Sequence, residues 1–231
     1  MSAPDAPDAV VGVYTADCGA TDVVSRYKNL WIRWTYLAAG REIDWLFGCL
    51  TISRPELLLA HGGFDASLSR DLGGSDVDLG RRMRAAGARI RLDPGLEVRH
   101  HRSFTLTSLL RNDLLRAFGY ARAMRRRGDQ APRRRLANIP TAHAVGGGLV
   151  SVGLAAALLA PLAPWTGLDT STIAVATAFA HTGLHARLYG FLLREGGVGV
   201  ALAAPALLAL TQLAATIGAA AALLRPSPRP A

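Results

Sequence analysis

The chain has 231 residues, enough for one ordinary domain and further segments. Half of them are hydrophobic and the mean hydropathy is +0.22, too high and too unevenly spread for a uniformly soluble protein. The formal charge of +9 is almost all arginine, and between Arg99 and Arg135 eleven Arg face only Asp113 and Asp129. A basic run of this kind suits nucleic acid, anionic lipid or the cytoplasmic side of a membrane. It leads directly into apolar sequence, and no nucleic-acid motif or aromatic interleaving accompanies it, so a nucleic-acid partner is not expected. Cys18 and Cys49 have no metal-ligand spacing and read as reduced thiols of a cytosolic domain. Residues 1–9, "MSAPDAPDA", lack a basic start and an apolar core, so no signal peptide is expected.

In chain order, "AVVGVY" (9–14) predicts a buried strand. "TDVVSRYKNLWIRWTYLAAG" (21–40) predicts a helix capped by Thr21 or Asp22 and ended by Gly40. "WLFGCLTIS" (45–53) is strand-like, broken by Gly48. "RPELLLAHGG" (54–63) is a short helix with Pro55 near its start. "FDASLSRDLGG" is a polar loop, followed by a helix from Ser75 to Ala86 that Gly87 closes. "ARIRLDP" and "LEVRHH" read as two strands. Residues 105–128 form an amphipathic basic helix, with Leu106, Leu109, Leu110, Leu114, Phe118 and Tyr120 on its apolar side. That helix suits either a membrane surface or packing on the domain. Strands alternating with helices indicate an α/β layer fold over residues 1–128.

A basic linker (129–142) leads to an all-α region (143–226) with about three spans, near 143–163, 171–193 and 198–224. Each reaches the roughly 20 residues that a bilayer core requires. The second carries His181, His185 and Arg187. Either Arg187 reaches an interface and the histidines face other helices, or the group lines a lipid or substrate path. Positive residues at 122–135 place the globular part in the cytoplasm, and "PWTGLDT" (164–170), which has no Lys or Arg, is expected outside. The tail "RPSPRPA" then lies outside with two Arg, against that tendency. The expected location is the plasma (inner) membrane, multi-pass.

Within the α/β part, Asp76 and Asp78 lie in the first turn of a helix, where unpaired N–H groups and the helix dipole favour carboxylates. Capping alone explains both. The wider order is Trp45-x-Phe47-Gly48, then Arg54-x-x-Leu57, then Gly62-Gly63-Phe64-Asp65, then "SDVDLGRRMRAAG", "ARIRLDP" and "VRHH". This order resembles the second half of family 2 glycosyltransferases, over about residues 9–128. Asp76, Leu79, Arg82, Gly87 and His100 fall on the family's pattern, while Ser75 stands where an acidic residue or Thr is usual.

The resemblance implies a partial GT-A-like mixed sheet with flanking helices. It implies that Asp76 is the base of an inverting sugar transfer, taking the proton of an acceptor hydroxyl within hydrogen-bond reach. It implies that Gly48 lines the acceptor side, where a side chain would obstruct approach. Arg82 would orient the Asp76 helix or meet a phosphate. His100 would be a ligand of a divalent metal, Mg or Mn, on the donor diphosphate; stacking in its loop is the other reading. The Asp-x-Asp motif that holds this metal is absent, and the expected nucleotide-binding half is missing from the sequence. No Gln-x-x-Arg-Trp motif follows the base, which points away from a processive synthase. The expected partners are a nucleotide-sugar donor, a lipid-linked or glycan acceptor and membrane lipids. The alternative is a non-catalytic, truncated or split membrane protein that needs a partner chain carrying the donor half.

Overall fold

The computed structural model of the chain describes residues 6–69, 74–126, 135–136, 138–167 and 169–224. Strand β1 (Ala9–Tyr14) is the β-branched run, and it is buried almost throughout. Helix α1 (Val23–Leu37) starts where Asp22 Oδ1 accepts the Ser25 N–H at 2.8 Å, so Asp22 is the cap. Two short strands follow, β2 (Glu42–Ile43) and β3 (Thr51–Ser53), then α2 (Pro55–Ala60) and α3 (Ala66–Ser69). Helix α4 (Ser75–Ala85), strand β4 (Ile90–Val98) and helix α5 (Leu106–Arg126) complete the α/β part. The sheet is small and mixed, in the order β2-β4-β1-β3; β1 runs parallel to β4 and antiparallel to β3.

Three expectations about these elements change. Residues 45–50 are not strand: Thr51 Oγ1 donates to the Phe47 carbonyl at 2.8 Å and accepts the Phe47 N–H at 3.0 Å, closing a turn. "ARIRLDP" and "LEVRHH" are not two strands but one, because β4 carries its Pro94-Gly95 pair in a bulge and resumes pairing with Val13 and Tyr14. The polar loop after Phe64 holds the short α3, and residues 70–73 of that loop lie outside the described residues.

The core under the sheet joins Val11, Val13, Ile90 and Leu92 to Val77, Leu79 and Met83 of α4 and to Trp45, Leu46 and Phe47. Gly80 makes this possible. A Cβ there would come within 2.5 Å of the Trp45 Cα and the Leu46 nitrogen, so only glycine lets α4 lie on the 45–48 segment.

After the pair β5 (Arg135–Leu136) and β6 (Ile139–Pro140) the chain is helical: α6 (Thr141–Leu159), a 3₁₀ turn, α7 (Ala163–Thr166), α8 (Thr170–Leu184) and α9 (Ala186–Leu224). Two helical stretches are long and apolar enough to cross a membrane, Thr141–Trp165 and Ala186–Leu224. The expected second span is not one of them. Its first part, α8, has 15 residues, about 22 Å at 1.5 Å per residue, short of a ~30 Å hydrocarbon core. The chain leaves helical geometry at His185, and the remainder of that segment belongs to α9. The expected boundary near 194–197 does fall at a break in helical geometry, Gly197 (φ 73°), where two helices meet at a kink and are taken together as α9. The described residues therefore give two candidate spans rather than three. The outer faces of these helices are apolar and exposed, with Leu158, Trp165, Phe179, Leu202 and Leu224 among them.

Helix α9 lies against the α/β part. Leu188, Phe191, Leu192, Val200 and Leu208 share a core with Tyr27, Leu30 and Trp31 of α1 and Leu109 of α5. Further along, Phe118 and Ala121 pack on Ala222, and Arg125 Nη1 donates to the Ala222 carbonyl at 2.8 Å, satisfying an end carbonyl of α9. Of the two readings of the basic amphipathic helix, packing on the protein is what the structure shows, with α9 as the cover.

Candidate functional site

Helix α4 begins at Gly74, which takes a left-handed conformation (φ 99°), and Ser75 is its first residue rather than its cap. The two aspartates then diverge, as their positions two apart on a helix require. Asp78 turns inward and is buried. Its Oδ2 accepts from Arg82 Nε at 3.1 Å and pairs with Arg82 Nη2 at 3.0 Å. Asp76 turns toward the 45–48 segment. Its Oδ2 accepts the Gly48 N–H at 3.2 Å in an exposed setting, and its Oδ1 accepts the N–H of Val77 at 2.9 Å. The Leu46 N–H donates to the Asp76 carbonyl at 3.3 Å. Asp76 is thus fixed at both backbone and side chain; it is half-buried, with its Oδ2 on the exposed Gly48 N–H.

Arg82 is committed elsewhere than to a phosphate. Besides Asp78 it donates to the His61 carbonyl and, at 2.6 Å, to the Gly63 carbonyl. The guanidinium ties the Gly62-Gly63 turn, whose two φ angles are both positive, to α4. Of the two expected roles, orienting the helix and its loop is the one the contacts fit. Gly48 supplies its N–H to Asp76, and a Cβ there would sit 3.5 Å from Asp76 Oδ2. A side chain at 48 is therefore sterically admissible but would lie on the carboxylate.

His100 stacks on the Tyr14 ring, centroids 4.3 Å apart and nearly parallel. Burial, with Arg102 and His101 nearby, lowers its pKa from the ordinary value. That keeps a nitrogen lone pair, but among the described residues no three His, Cys, Asp or Glu side chains group as a metal site. The residues around His100 do not fit a metal centre by themselves.

Side chains that the sequence did not single out surround Asp76 on its inner side. Tyr120 of α5 packs against Gly74, where an added Cβ would stand 3.2 Å from its ring. Arg116, one turn earlier, donates to the Tyr120 hydroxyl at 2.6 Å. Burial raises the phenol pKa values of Tyr36 and Tyr120, and the Asp76 charge adds to both. Beyond them lies a buried ion pair, Lys28 with Asp113; Lys28 also sits 4.4 Å from the Trp31 ring centroid. Burial pulls the Lys28 pKa down, and Asp113 opposes that shift. A narrow cleft of about 50 Å³ runs between these groups, lined by Tyr14, Tyr36, Lys28, Asp113, Arg116 and His143 among others. The only signals in the sequence were indirect: the chain's single lysine, on α1, and an Arg-Tyr pair at i,i+4 on α5.

The histidines of the apolar region face other helices. His181 Nε2 and His185 Nε2 each lie 2.7 Å from the Gln212 carboxamide, and their rings stack at 4.7 Å. Arg187 is exposed. The basic residues 127–134 and the tail 225–231 lie outside the described residues.

No known protein family, curated protein or solved structure matches this chain.

Proposed function

We propose that the chain is the acceptor side of a membrane-bound, inverting glycosyltransferase of the family 2 kind, with Asp76 as the base. The observation that carries this reading is the divergence of the two aspartates. Asp78 is spent on the buried pair with Arg82, whereas Asp76 is half-buried and presents a partly exposed carboxylate held by the Gly48 N–H. A base needs that combination of fixed position and access to the acceptor hydroxyl. The hydroxyl proton passes to Asp76 while the acceptor oxygen attacks the anomeric carbon and the nucleotide leaves from the opposite face. Arg82 keeps the Gly62-Gly63 loop beside the site. The two long apolar helices support a seat in the membrane, with the globular part on the cytoplasmic side. A nucleotide-sugar donor and a divalent cation belong to this reading through the resemblance. His100 could add one nitrogen to that cation, with the other ligands coming from the diphosphate or another chain.

The test is sugar transfer by membranes containing the chain, alone and with a partner supplying a donor-binding half. Asp76→Asn is expected to abolish transfer, by about 10²–10⁴-fold as for loss of a general base, and Asp78→Asn to act through stability instead. Wild-type transfer by Asp76→Asn removes the base assignment.

A further inference from the structure

We infer that Arg116 anchors the phosphate headgroup of an amphiphilic acceptor in the cleft between the sheet and the apolar helices. The inference rests on the transferase reading only for the word acceptor. Three observations meet here. First, Lys28 and Asp113 neutralise each other, and among the described residues no carboxylate lies within ion-pair distance of Arg116; the Asp76 charge acts on it only from beyond that distance. Its hydrogen-bond partner is a neutral phenol, Tyr120. A guanidinium drawn from water without a carboxylate is costly, and an anion that enters the cleft removes that cost. The planar fork of Arg suits phosphate oxygens.

Second, the cleft is amphipathic. Arg116, Tyr14, Tyr36 and Tyr120 belong to its polar lining, with Tyr120 also packed on Gly74 at the start of α4, while Trp31, Ile139 and Ala215 of α9 belong to its apolar lining. Third, its size of about 50 Å³ admits a few waters or one phosphate group. A headgroup on Arg116 therefore leaves its alkyl chain along α6 and α9. The portion to be glycosylated extends toward Gly74 and Asp76, since Tyr120 packs on Gly74.

The experiment uses the full chain in neutral-detergent micelles with dodecyl phosphate as probe, followed by phosphorus NMR titration. Dodecanol, inorganic phosphate and UDP are the comparison ligands. Wild type is expected to bind dodecyl phosphate saturably and to prefer it to the other three. Arg116→Gln is expected to weaken binding by about 10-fold or more, the loss of a charge-assisted contact, and Arg116→Lys to keep part of it. Tyr120→Phe removes the phenol that orients the guanidinium and keeps the ring on Gly74, so it tests the same point if Arg116→Gln does not fold. Equal binding by the Arg116 variants, equal binding of dodecanol, or Arg116-dependent binding of UDP in place of dodecyl phosphate overturns the inference. Arg116-dependent binding without any transfer activity leaves the anchor standing and counts against the transferase reading. Transfer that is indifferent to Arg116 does the reverse.

Discussion

Replacing Arg82 by Met separates a structural clamp from a phosphate contact. The side chain makes one buried ion pair, with Asp78 at 3.0 Å, and donates to the carbonyls of His61 and Gly63. The Asp78 side chain is 2 % exposed, so its charge has no solvent to fall back on. Breaking a buried pair from one side costs about 3–5 kcal/mol, because the remaining buried carboxylate loses its counter-charge. For a chain of this size each kcal/mol moves the melting midpoint by about 2–4 °C, so a drop of roughly 6–20 °C is expected. Arg82→Met combined with Asp78→Leu removes the buried carboxylate as well and should recover much of that loss. The assay is thermal unfolding in detergent for wild type, both single variants and the double variant. A drop of under ~1 kcal/mol in Arg82→Met, or strict additivity in the cycle, refutes the clamp. The first result is what a solvated surface pair would give.

The other expectations are narrower. Gly80→Ala should destabilise the fold by about 1–3 kcal/mol through overpacking against the Trp45–Leu46 backbone, read by the same unfolding assay. Gly48→Ala should leave the melting midpoint near wild type but reduce transfer, since its methyl lies on Asp76 Oδ2; unchanged transfer removes Gly48 from the site. Lys28→Met should cost about 3–5 kcal/mol by stranding Asp113, and Lys28→Met with Asp113→Leu should cost far less. His100 has a depressed folded-state pKa, so the unfolded chain binds more protons just below pH 6.5 and the stability that His100 contributes is lost as pH falls through that window. His100→Phe keeps an aromatic ring on Tyr14 and should flatten this pH dependence of the melting midpoint.

Much of the α/β part was legible because its signals are local. The β-branched run at 9–14, the Asp22 cap and the Gly-closed helix after Ser75 each depend on a few neighbouring residues. What misled was tertiary. The 45–53 run looks like strand, yet Thr51 turns it and α4 needs residues 45–48 as a platform. Pro94-Gly95 looks like a break, yet pairing with β1 on both sides carries β4 across it. In the apolar region hydropathy could not separate α8 from α9, because the change of direction falls at His185 within an apolar stretch. At the site, Asp76 and Asp78 were distinguishable only by resemblance; the structure adds that Asp78 is buried and Asp76 only half-buried. Arg116 was invisible for a plainer reason. It is one arginine among many, and only the cleft beside it sets it apart.

The long apolar helix is part of what shapes the site, and Gly218 is where this can be examined. A Cβ at 218 would run into the carbonyl of Leu114, so α5 touches α9 there through backbone alone. Leu114 lies between Asp113, which pairs with Lys28, and the turn that carries Arg116. Pushing α5 off α9 at this point shifts Asp113 and Arg116 together while leaving the sheet and the Asp76–Gly48 contact untouched. Gly218→Val therefore should cost about 1–3 kcal/mol as overpacking and should weaken any Arg116-dependent anion binding. A variant on the outer face of the same helix, Leu202→Ala, removes an exposed side chain and should do neither in detergent. If Gly218→Val lowers stability but leaves anion binding at the wild-type level, α9 serves only to cover α5. If both fall together, the cleft is set by the packing of the long apolar helix on the α/β part, and the acceptor side proposed for this site depends on that packing.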